Sequence, residues 1–199
     1  MKMYFYYGAM GSSKTANALM TRFSWESKGK KVALIKPQTD TRDGLTTVKS
    51  RAGLFATAIV LGTNQKISDV LSDIPEYDNI IVDEVQFLTP AQIDELRDIA
   101  DNEKAFIMCY GLKTDFKSEL FAGSKRLLEV ADKISEIVSM CPCGKKATMN
   151  ARYTGNKIIY SGEQIAIGGN ESYIALCHKC YMKGTIDLKT AEAFMVEKD

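Results

Sequence analysis

Short apolar runs alternate with longer amphipathic stretches along the first two thirds of the chain. The apolar runs predict β-strands at residues 3–7, 32–35, 57–61, 80–82 and 105–110. Helices are predicted at residues 14–27, 66–72 and 124–131, and another begins with Thr89 as N-cap and Pro90 in the first helical position. The polar segment 37–53 is predicted to be a loop. Strands alternating with helices indicate an α/β fold with a mainly parallel sheet flanked by helices.

The pattern changes after about Ser139, where cysteines, glycines and short alternating stretches replace the strand-helix rhythm. We therefore predict an α/β nucleotide-binding domain at residues 1–139 and a smaller lobe with the C-terminal tail at 140–199. A chain of 199 residues, 45% of them hydrophobic, is long enough to form one cored domain with an appendage.

Charge and hydropathy exclude several classes of protein. The formal net charge is +1, without the clustered basic surplus typical of proteins that grip nucleic acid. Every apolar run is shorter than the roughly 18 residues that a membrane span needs. The apolar stretch at the N-terminus ends at Gly8, which makes it too short for a signal peptide. These observations predict a cytoplasmic protein with neither nucleic acid nor a membrane as partner.

A phosphate-binding loop follows the first predicted strand and precedes the first predicted helix. Its residues are Gly8, Ala9, Met10, Gly11, Ser12, Ser13, Lys14 and Thr15. Backbone amides at a helix N-terminus bind phosphate, Lys14 would reach the β- and γ-phosphates, and the Thr15 hydroxyl would bind Mg²⁺. Ser13 departs from the pattern, which has glycine before the lysine. The alternative is an ordinary glycine-serine turn that caps a helix.

Two acids end the strand predicted at 80–82. Asp83 is placed where P-loop proteins hold the Mg²⁺ shell, and Glu84 is placed where a carboxylate can accept the proton of an attacking hydroxyl. A solvated acidic pair is the alternative. Arg42 and Arg51 lie in the polar segment 37–53, and the sequence leaves open whether they clamp phosphate or are simply solvated.

Four of the five cysteines form two close pairs, Cys141 with Cys143 and Cys177 with Cys180. Such pairs in a cytosolic protein favour a structural, tetrahedral Zn²⁺ site over disulfides or free thiols. His178 is an alternative fourth ligand, although Cys-x-x-Cys favours Cys180. His178 is also the sole histidine, so a separate catalytic triad has no histidine to use. The glycine-rich stretch 162–173 lies between the pairs and is interpreted as a functional lid.

The segments together resemble the cytosolic-type, or type II, thymidine kinases over the chain from about Met3 to Met182. Besides the P-loop, the resemblance rests on three runs and the cysteine pairs. The runs are Asp83-Glu84-Val85-Gln86-Phe87, Tyr110-Gly111-Leu112-Lys113-Thr114-Asp115-Phe116 and Ile167-Gly168-Gly169-Asn170-Glu171-Ser172-Tyr173.

The resemblance implies a P-loop domain with a zinc-containing lasso domain, and transfer of the ATP γ-phosphoryl group, with Mg²⁺, to the 5′-hydroxyl of thymidine and of deoxyuridine. It implies Glu84 as proton acceptor, and an ATP site formed by the P-loop with Asp83, Glu84, Val85 and Gln86. It further implies feedback inhibition by dTTP and a homotetramer. The nucleoside site that it implies comprises Met10, Phe87, Leu112, Phe116, Ala166, Ile167, Gly168, Gly169, Asn170 and Tyr173.

Two rival hypotheses come from other classes of protein. Asp83-Glu84-Val85-Gln86 looks like the acidic box of a P-loop ATPase that acts on nucleic acid, but the chain is short and nearly neutral. Ser13 would fit a zinc-bearing interaction module with a decayed nucleotide site. Binding to DNA and loss of ATP binding, respectively, would identify these rivals.

Overall fold

A six-stranded parallel sheet forms the centre of the molecule. The computed structural model describes residues 2–102, 105–164 and 172–187. The strand order is β5-β2-β6-β7-β1-β8, and every pairing in this sheet is parallel. Its strands are β1 (Met3–Tyr7), β2 (Val32–Pro37), β5 (Ile59–Leu61), β6 (Asn79–Val82), β7 (Phe106–Gly111) and β8 (Lys133–Glu136).

Helices connect these strands and cover both faces, as the alternating pattern predicts. They are α1 (Lys14–Glu26), α2 (Ile67–Ser72), α3 (Pro90–Asn102) and α4 (Ala122–Val130), and a short 3-10 helix spans Val85–Phe87. Thr89 caps α3 as predicted, because its hydroxyl accepts a hydrogen bond from the Gln92 amide while the Gln92 side-chain oxygen accepts one from the Thr89 amide.

Side chains that alternate along the strands form two apolar layers, one on each face of the sheet. Ile80 and Val82 point into the layer that also contains the buried residues of α2 and α3. Ile81 points the other way, into the layer with Ala18 and Leu19 of α1. The sheet is therefore buried on both faces, which explains why its central strands read as continuous apolar runs.

Smaller elements extend from the central sheet. A hairpin joins β3 (Thr47–Lys49) to β4 (Phe55–Thr57), and β9 (Ser139–Met140) pairs with β10 (Lys146–Ala147). An antiparallel sheet has the order β12-β11-β13. Its strands are β11 (Met149–Thr154), β12 (Lys157–Ile159) and β13 (Ser172–Leu176), and α5 (His178–Tyr181) follows β13.

Four sequence-based predictions of elements need correction. Segment 37–53 is not all loop, because it contains β3, which pairs with β4. The strand predicted at 57–61 is divided at Ala58 between β4 and β5. Edge strand β8 was missed, because three of the four residues of Lys133–Glu136 are polar. Helix α4 begins at Ala122 rather than residue 124, because Phe121 is extended and serves as its N-cap.

Within the three described ranges, none of the helices combines the length and the apolar composition that a membrane crossing requires.

Candidate active site

The carboxyl ends of three parallel strands bring the predicted site residues to one edge of the sheet. The P-loop follows β1, Asp83 and Glu84 follow β6, and the segment from Leu112 follows β7, which lies between them. Tyr7 is paired with Gly111 and Val82 with Cys109, so the P-loop and the acids leave the sheet at nearly the same level. In open α/β sheets this edge is where ligands bind.

The P-loop wraps around the ammonium group of Lys14. The Lys14 Nζ donates to the Gly8 carbonyl at 3.1 Å, the Ala9 carbonyl at 2.9 Å and the Ser12 hydroxyl at 3.2 Å. Burial lowers the pKa of Lys14 to about 8, against the opposing effects of Glu84 and Asp83. The hydrogen bonds of this buried cation go to neutral loop oxygens, so the site favours an anion, whose phosphate oxygens would add negative charge next to the ammonium.

Two positions in the P-loop have the left-handed backbone conformation. Gly11 has a φ of 73° and Ser13 a φ of 60°. Glycine adopts this region freely, whereas a residue with a side chain is strained there. Ser13 therefore has a left-handed conformation that glycine, the residue in the P-loop pattern at this place, would adopt without strain.

Asp83 connects the strand end to the P-loop. Its carboxyl group is almost fully buried and hydrogen-bonds the Thr15 side chain. Burial, with the Glu84 charge next in size, raises the pKa of Asp83 to about 7. The Thr15 hydroxyl and the Asp83 carboxylate are hard oxygen ligands of the kind that Mg²⁺ prefers, and the structure places them in contact.

Glu84 has partners on both of its carboxylate oxygens. Its backbone φ is 51°, a left-handed conformation that is uncommon for glutamate. Oε1 forms an ion pair with the Arg42 guanidinium, and Oε2 accepts a hydrogen bond from Gln86 Nε2 at 2.5 Å. The sequence left the role of Arg42 open, and the structure places this side chain on the acid that was predicted to accept a proton.

A chain of charges behind Arg42 leads into the protein. Arg42 Nε donates to Asp40 at 2.8 Å, and Asp40 lies 3.4 Å from the fully buried Lys36. Lys36 also donates to the carbonyls of Gly44 and Thr47. Arg51 lies elsewhere, beside the P-loop, since a methyl group on Gly11 would sit 3.8 Å from its Nη1.

Gln86 joins the acidic segment to the segment after β7. Its Oε1 accepts a hydrogen bond from the Leu112 amide at 2.9 Å. Gly111 makes room for this contact, because a Cβ there would lie 2.4 Å from Gln86 Oε1. Val85 is fully buried in the core, so it supports the segment by packing.

The residues predicted to surround a nucleoside are divided between two places. Phe87 is half-buried and packs edge-on against Phe121, with ring centroids 5.8 Å apart. Phe116 is buried, and Arg152 connects it to Tyr173. Five residues of the predicted set, Ala166, Ile167, Gly168, Gly169 and Asn170, lie outside the described residues.

Asn150 and Arg152 on β11 were missed by the sequence analysis. Asn150 Oδ1 accepts a hydrogen bond from the Met10 amide at 2.8 Å, and Asn150 Nδ2 donates to the Thr114 carbonyl at 2.8 Å. The P-loop and the segment after β7 are thus joined through β11. The available signal was the alternate spacing of Asn150 and Arg152, which places both side chains on one face of the strand.

Four cysteine sulfurs gather at the other end of β13. The Sγ atoms of Cys141, Cys143, Cys177 and Cys180 all lie within 4.8 Å of one another. Cys143 Sγ is 3.4 Å from Cys141 Sγ and 3.7 Å from Cys177 Sγ. Tetrahedral Zn²⁺ with Zn–S bonds of about 2.3 Å requires sulfurs about 3.8 Å apart, so the cluster fits zinc.

The composition of the cluster favours Cys180 over His178 as the fourth metal ligand. In the part of the chain that the structure describes, the cluster consists of cysteines, and the exposed His178 is not a member. All five cysteines are free thiols. The Lys145 amide lowers the pKa of Cys143 to about 7, which favours the thiolate that a metal needs.

The fold and the site define a class, the P-loop nucleotide-binding proteins, here with a small tetrathiolate lobe. Comparisons with known proteins narrow this class. A family model described as "Thymidine kinase" matches residues 1–181. The thymidine kinase of Zymomonas mobilis is 43% identical over 187 residues, or 92% of this chain and 96% of the relative. The thymidine kinase of Lactococcus lactis is 41% identical over 93% of this chain and 99% of its own length.

The chain therefore belongs to the thymidine kinase family. The thymidine kinase of Streptococcus gordonii adds a match of 42% identity over 94% of this chain and 98% of its own length. Family membership decides in favour of the kinase over the two rival hypotheses. A solved Pif1 helicase from Candida albicans aligns at 16% identity and a TM-score of 0.42, over 68% of this chain and 36% of its own, too distant to bear on function.

Proposed function

We propose that the chain transfers the γ-phosphoryl group of ATP to the 5′-hydroxyl of thymidine, giving dTMP and ADP, with deoxyuridine as a second acceptor. The thymidine kinase activity follows from membership of the family. The single observation that supports the residue roles is the contact between Thr15 and Asp83, because it joins the P-loop to the acids after β6 in one site.

The triphosphate is assigned to the P-loop. The amides between Gly8 and Thr15 would surround the phosphates, and Lys14 would exchange its loop carbonyls for β- and γ-phosphate oxygens. Thr15 and Asp83 would hold Mg²⁺, which would neutralise charge on the phosphates. Val85 and Gln86 would support this site from the neighbouring segment.

Glu84 is assigned as the proton acceptor. A carboxylate offers about four lone-pair positions, and the two contacts with Arg42 and Gln86 occupy one on each oxygen. Each oxygen therefore keeps a position for the 5′-hydroxyl.

The nucleoside is assigned to the space between the P-loop, the segment after β7 and the start of β13. Met10, Phe87, Leu112, Phe116 and Tyr173 would contact it, with main-chain groups of residues 166–170. Phe121 joins this set because its ring packs against Phe87. Apolar walls with few polar groups suit a flat pyrimidine.

The four cysteines are assigned to a structural Zn²⁺ that organises a lasso domain at residues 140–199. Closed sites of four thiolates have no open coordination position for chemistry. The proposal also divides the chain into a nucleotide-binding domain at 1–139 and this lasso domain.

Regulation and assembly are further parts of the proposal. If the thymidine and triphosphate sites adjoin, a single dTTP molecule would occupy both sites and so inhibit the kinase. A homotetramer would cover apolar surface such as Met20 and Phe23 on α1, whose exposed fractions are 63% and 73%. We expect this enzyme in the cytoplasm, acting without nucleic acid or membrane.

The experiment is transfer of labelled phosphate from ATP to a panel of nucleosides, with and without Mg²⁺. We expect labelled thymidine and deoxyuridine monophosphates only when Mg²⁺ is present. Product from purine nucleosides alone would contradict the acceptor assignment. ATP hydrolysis stimulated by single-stranded DNA, without any nucleotide product, would support an ATPase acting on nucleic acid.

A further inference from the structure

We propose that Arg152 is a positioning residue for the nucleoside site. It would set the placement of Tyr173 and Phe116 and of the chain at Glu163. The inference depends on the proposed function, since it assigns a role to the residue behind side chains that the proposal places on thymidine.

Three contacts converge on the Arg152 guanidinium. Its Nε donates to the Tyr173 hydroxyl at 2.8 Å, and its Nη2 donates to the Glu163 carbonyl at 3.0 Å. Its Cζ lies 3.6 Å from the centroid of the Phe116 ring. One planar group thus fixes a hydroxyl, a backbone carbonyl and an aromatic ring at the same time.

The position of Arg152 in the fold makes these contacts specific. Arg152 of β11 is paired with Tyr173 of β13 in the antiparallel sheet, so the two side chains stand on the same face. Only 2% of Arg152 is exposed. Burying a guanidinium is costly unless its donors are satisfied, so a buried arginine with these partners is a strong constraint on where the partners lie.

The contacts of Arg152 lie at the two ends of the glycine-rich stretch 162–173. Glu163 lies at the start of this stretch and Tyr173 is its last residue. A second contact holds the chain next to Glu163, because Gln164 Nε2 donates to the buried Asp115 at 3.0 Å. Asp115 in turn accepts hydrogen bonds from the Lys117 and Glu119 amides next to Phe116.

The hydrogen bond to Tyr173 also has a chemical consequence. Because Arg152 donates to the phenol oxygen, the phenol hydrogen points elsewhere and can be donated to an acceptor on a ligand. Lysine could supply charge here, but it lacks the planar fork that reaches Tyr173 and Glu163 together while lying on a ring.

The test compares Arg152→Met and Arg152→Lys with the wild type by steady-state kinetics. Methionine keeps most of the side-chain volume without its donors. We expect Arg152→Met to raise the KM for thymidine about tenfold or more, as loss of a charge-assisted hydrogen bond implies, with the KM for ATP within about twofold. The KM for thymidine of Arg152→Lys should lie between the values of the wild type and Arg152→Met. Arg126→Met is the matched control, because Arg126 pairs with Asp94 and Glu129 on the surface of α3 and α4.

Three further measurements separate positioning from a merely structural role. Tyr173→Phe should raise the KM for thymidine. In the double variant with Arg152→Met, the KM for thymidine should rise by less than the product of the two single increases. Added guanidinium should partly restore Arg152→Ala. Melting temperature and bound zinc are measured on every variant.

The outcomes are distinguishable. An unchanged KM for thymidine in Arg152→Met, or an equal rise in both KM values, would overturn the positioning role. If Arg152→Met does not fold, a double-mutant cycle of Arg152→Lys with Tyr173→Phe replaces it. In that cycle, strictly multiplicative effects on the KM for thymidine would refute the inference. If the wild type phosphorylates no pyrimidine nucleoside, the proposed function fails instead.

Discussion

Glu84 shows how much of one residue's role depends on its surroundings. The strand-ending position of the acids was visible in the sequence, and so was the loop lysine. The pairing of Arg42 with Glu84 was not, because the two residues are separated by more than 40 positions and only the sheet order brings them together. Local pattern predicts the chemistry of a residue, whereas its partners depend on topology.

The assignment of Glu84 predicts a specific kinetic defect. Glu84→Gln keeps the size of the side chain and removes its basicity, so we expect kcat to fall by about 10²–10⁴ while ATP affinity stays largely intact. Transfer kinetics and ATP titration would measure the two quantities. Glu129→Gln on α4 is the surface control, and full activity in Glu84→Gln would refute the base assignment.

Asp40 predicts a dependence of stability on pH. Burial alone would raise the pKa of Asp40, but Arg42 and Lys36 outweigh it and lower the pKa below its ordinary value of 3.8. The carboxylate therefore stabilises the fold above about pH 4, and this contribution is lost as the pH falls through the depressed pKa.

Asp40→Asn should therefore lower the free energy of unfolding most at neutral pH. There it leaves the buried Lys36 without its carboxylate, which costs about 3–5 kcal/mol for a broken buried pair. Urea denaturation between pH 3 and 7 should show that the difference in the free energy of unfolding between this variant and the wild type becomes smaller below about pH 4. Asp98→Asn, on the exposed face of α3, is the control, and a gap independent of pH would contradict the assignment.

At the scale of elements, the sequence predicted those strands and helices whose position is determined by packing against the core. The buried strands β1, β2, β6 and β7 were found because both of their faces are apolar. Edge strand β8 has the sequence Lys-Ile-Ser-Glu and pairs only with β1, so its composition does not differ from that of a loop. The β3–β4 hairpin was missed for the same reason, since half of it is exposed.

The junction of P-loop and α1 predicts that Ser13→Gly stabilises the protein. Ser13 has a φ of 60°, where a side chain costs about 1–2 kcal/mol, while glycine adds about 0.5–1 kcal/mol of unfolded-state entropy. The net gain is about 0.5–1 kcal/mol, without loss of ATP affinity.

Thermal unfolding would measure this gain. Ser27→Gly at the other end of α1 is the matched control, because Ser27 has a φ of −64° and should lose about 0.5–1 kcal/mol when replaced. Destabilisation in both variants would show that Ser13 is not strained in solution.

At the scale of the whole molecule, the cysteine lobe is joined directly to the P-loop. Ala9 of the P-loop packs in the same apolar cluster as Cys141, Cys177 and Tyr181. The Tyr181 hydroxyl donates to the Phe116 carbonyl at 2.7 Å. The cysteine pairs predicted the metal site from sequence alone, but not these contacts, because they depend on how the lobe packs against the sheet edge.

Cys180→Ala should therefore impair the active site as well as the metal site. We expect loss of bound zinc, a lower melting temperature and a higher KM for thymidine, because Tyr181 follows Cys180 in α5 and holds the backbone of Phe116. His178→Ala should keep zinc and activity, since His178 is exposed and outside the sulfur cluster. Metal analysis with kinetics on both variants tests this, and zinc lost from His178→Ala but retained by Cys180→Ala would reverse the ligand assignment.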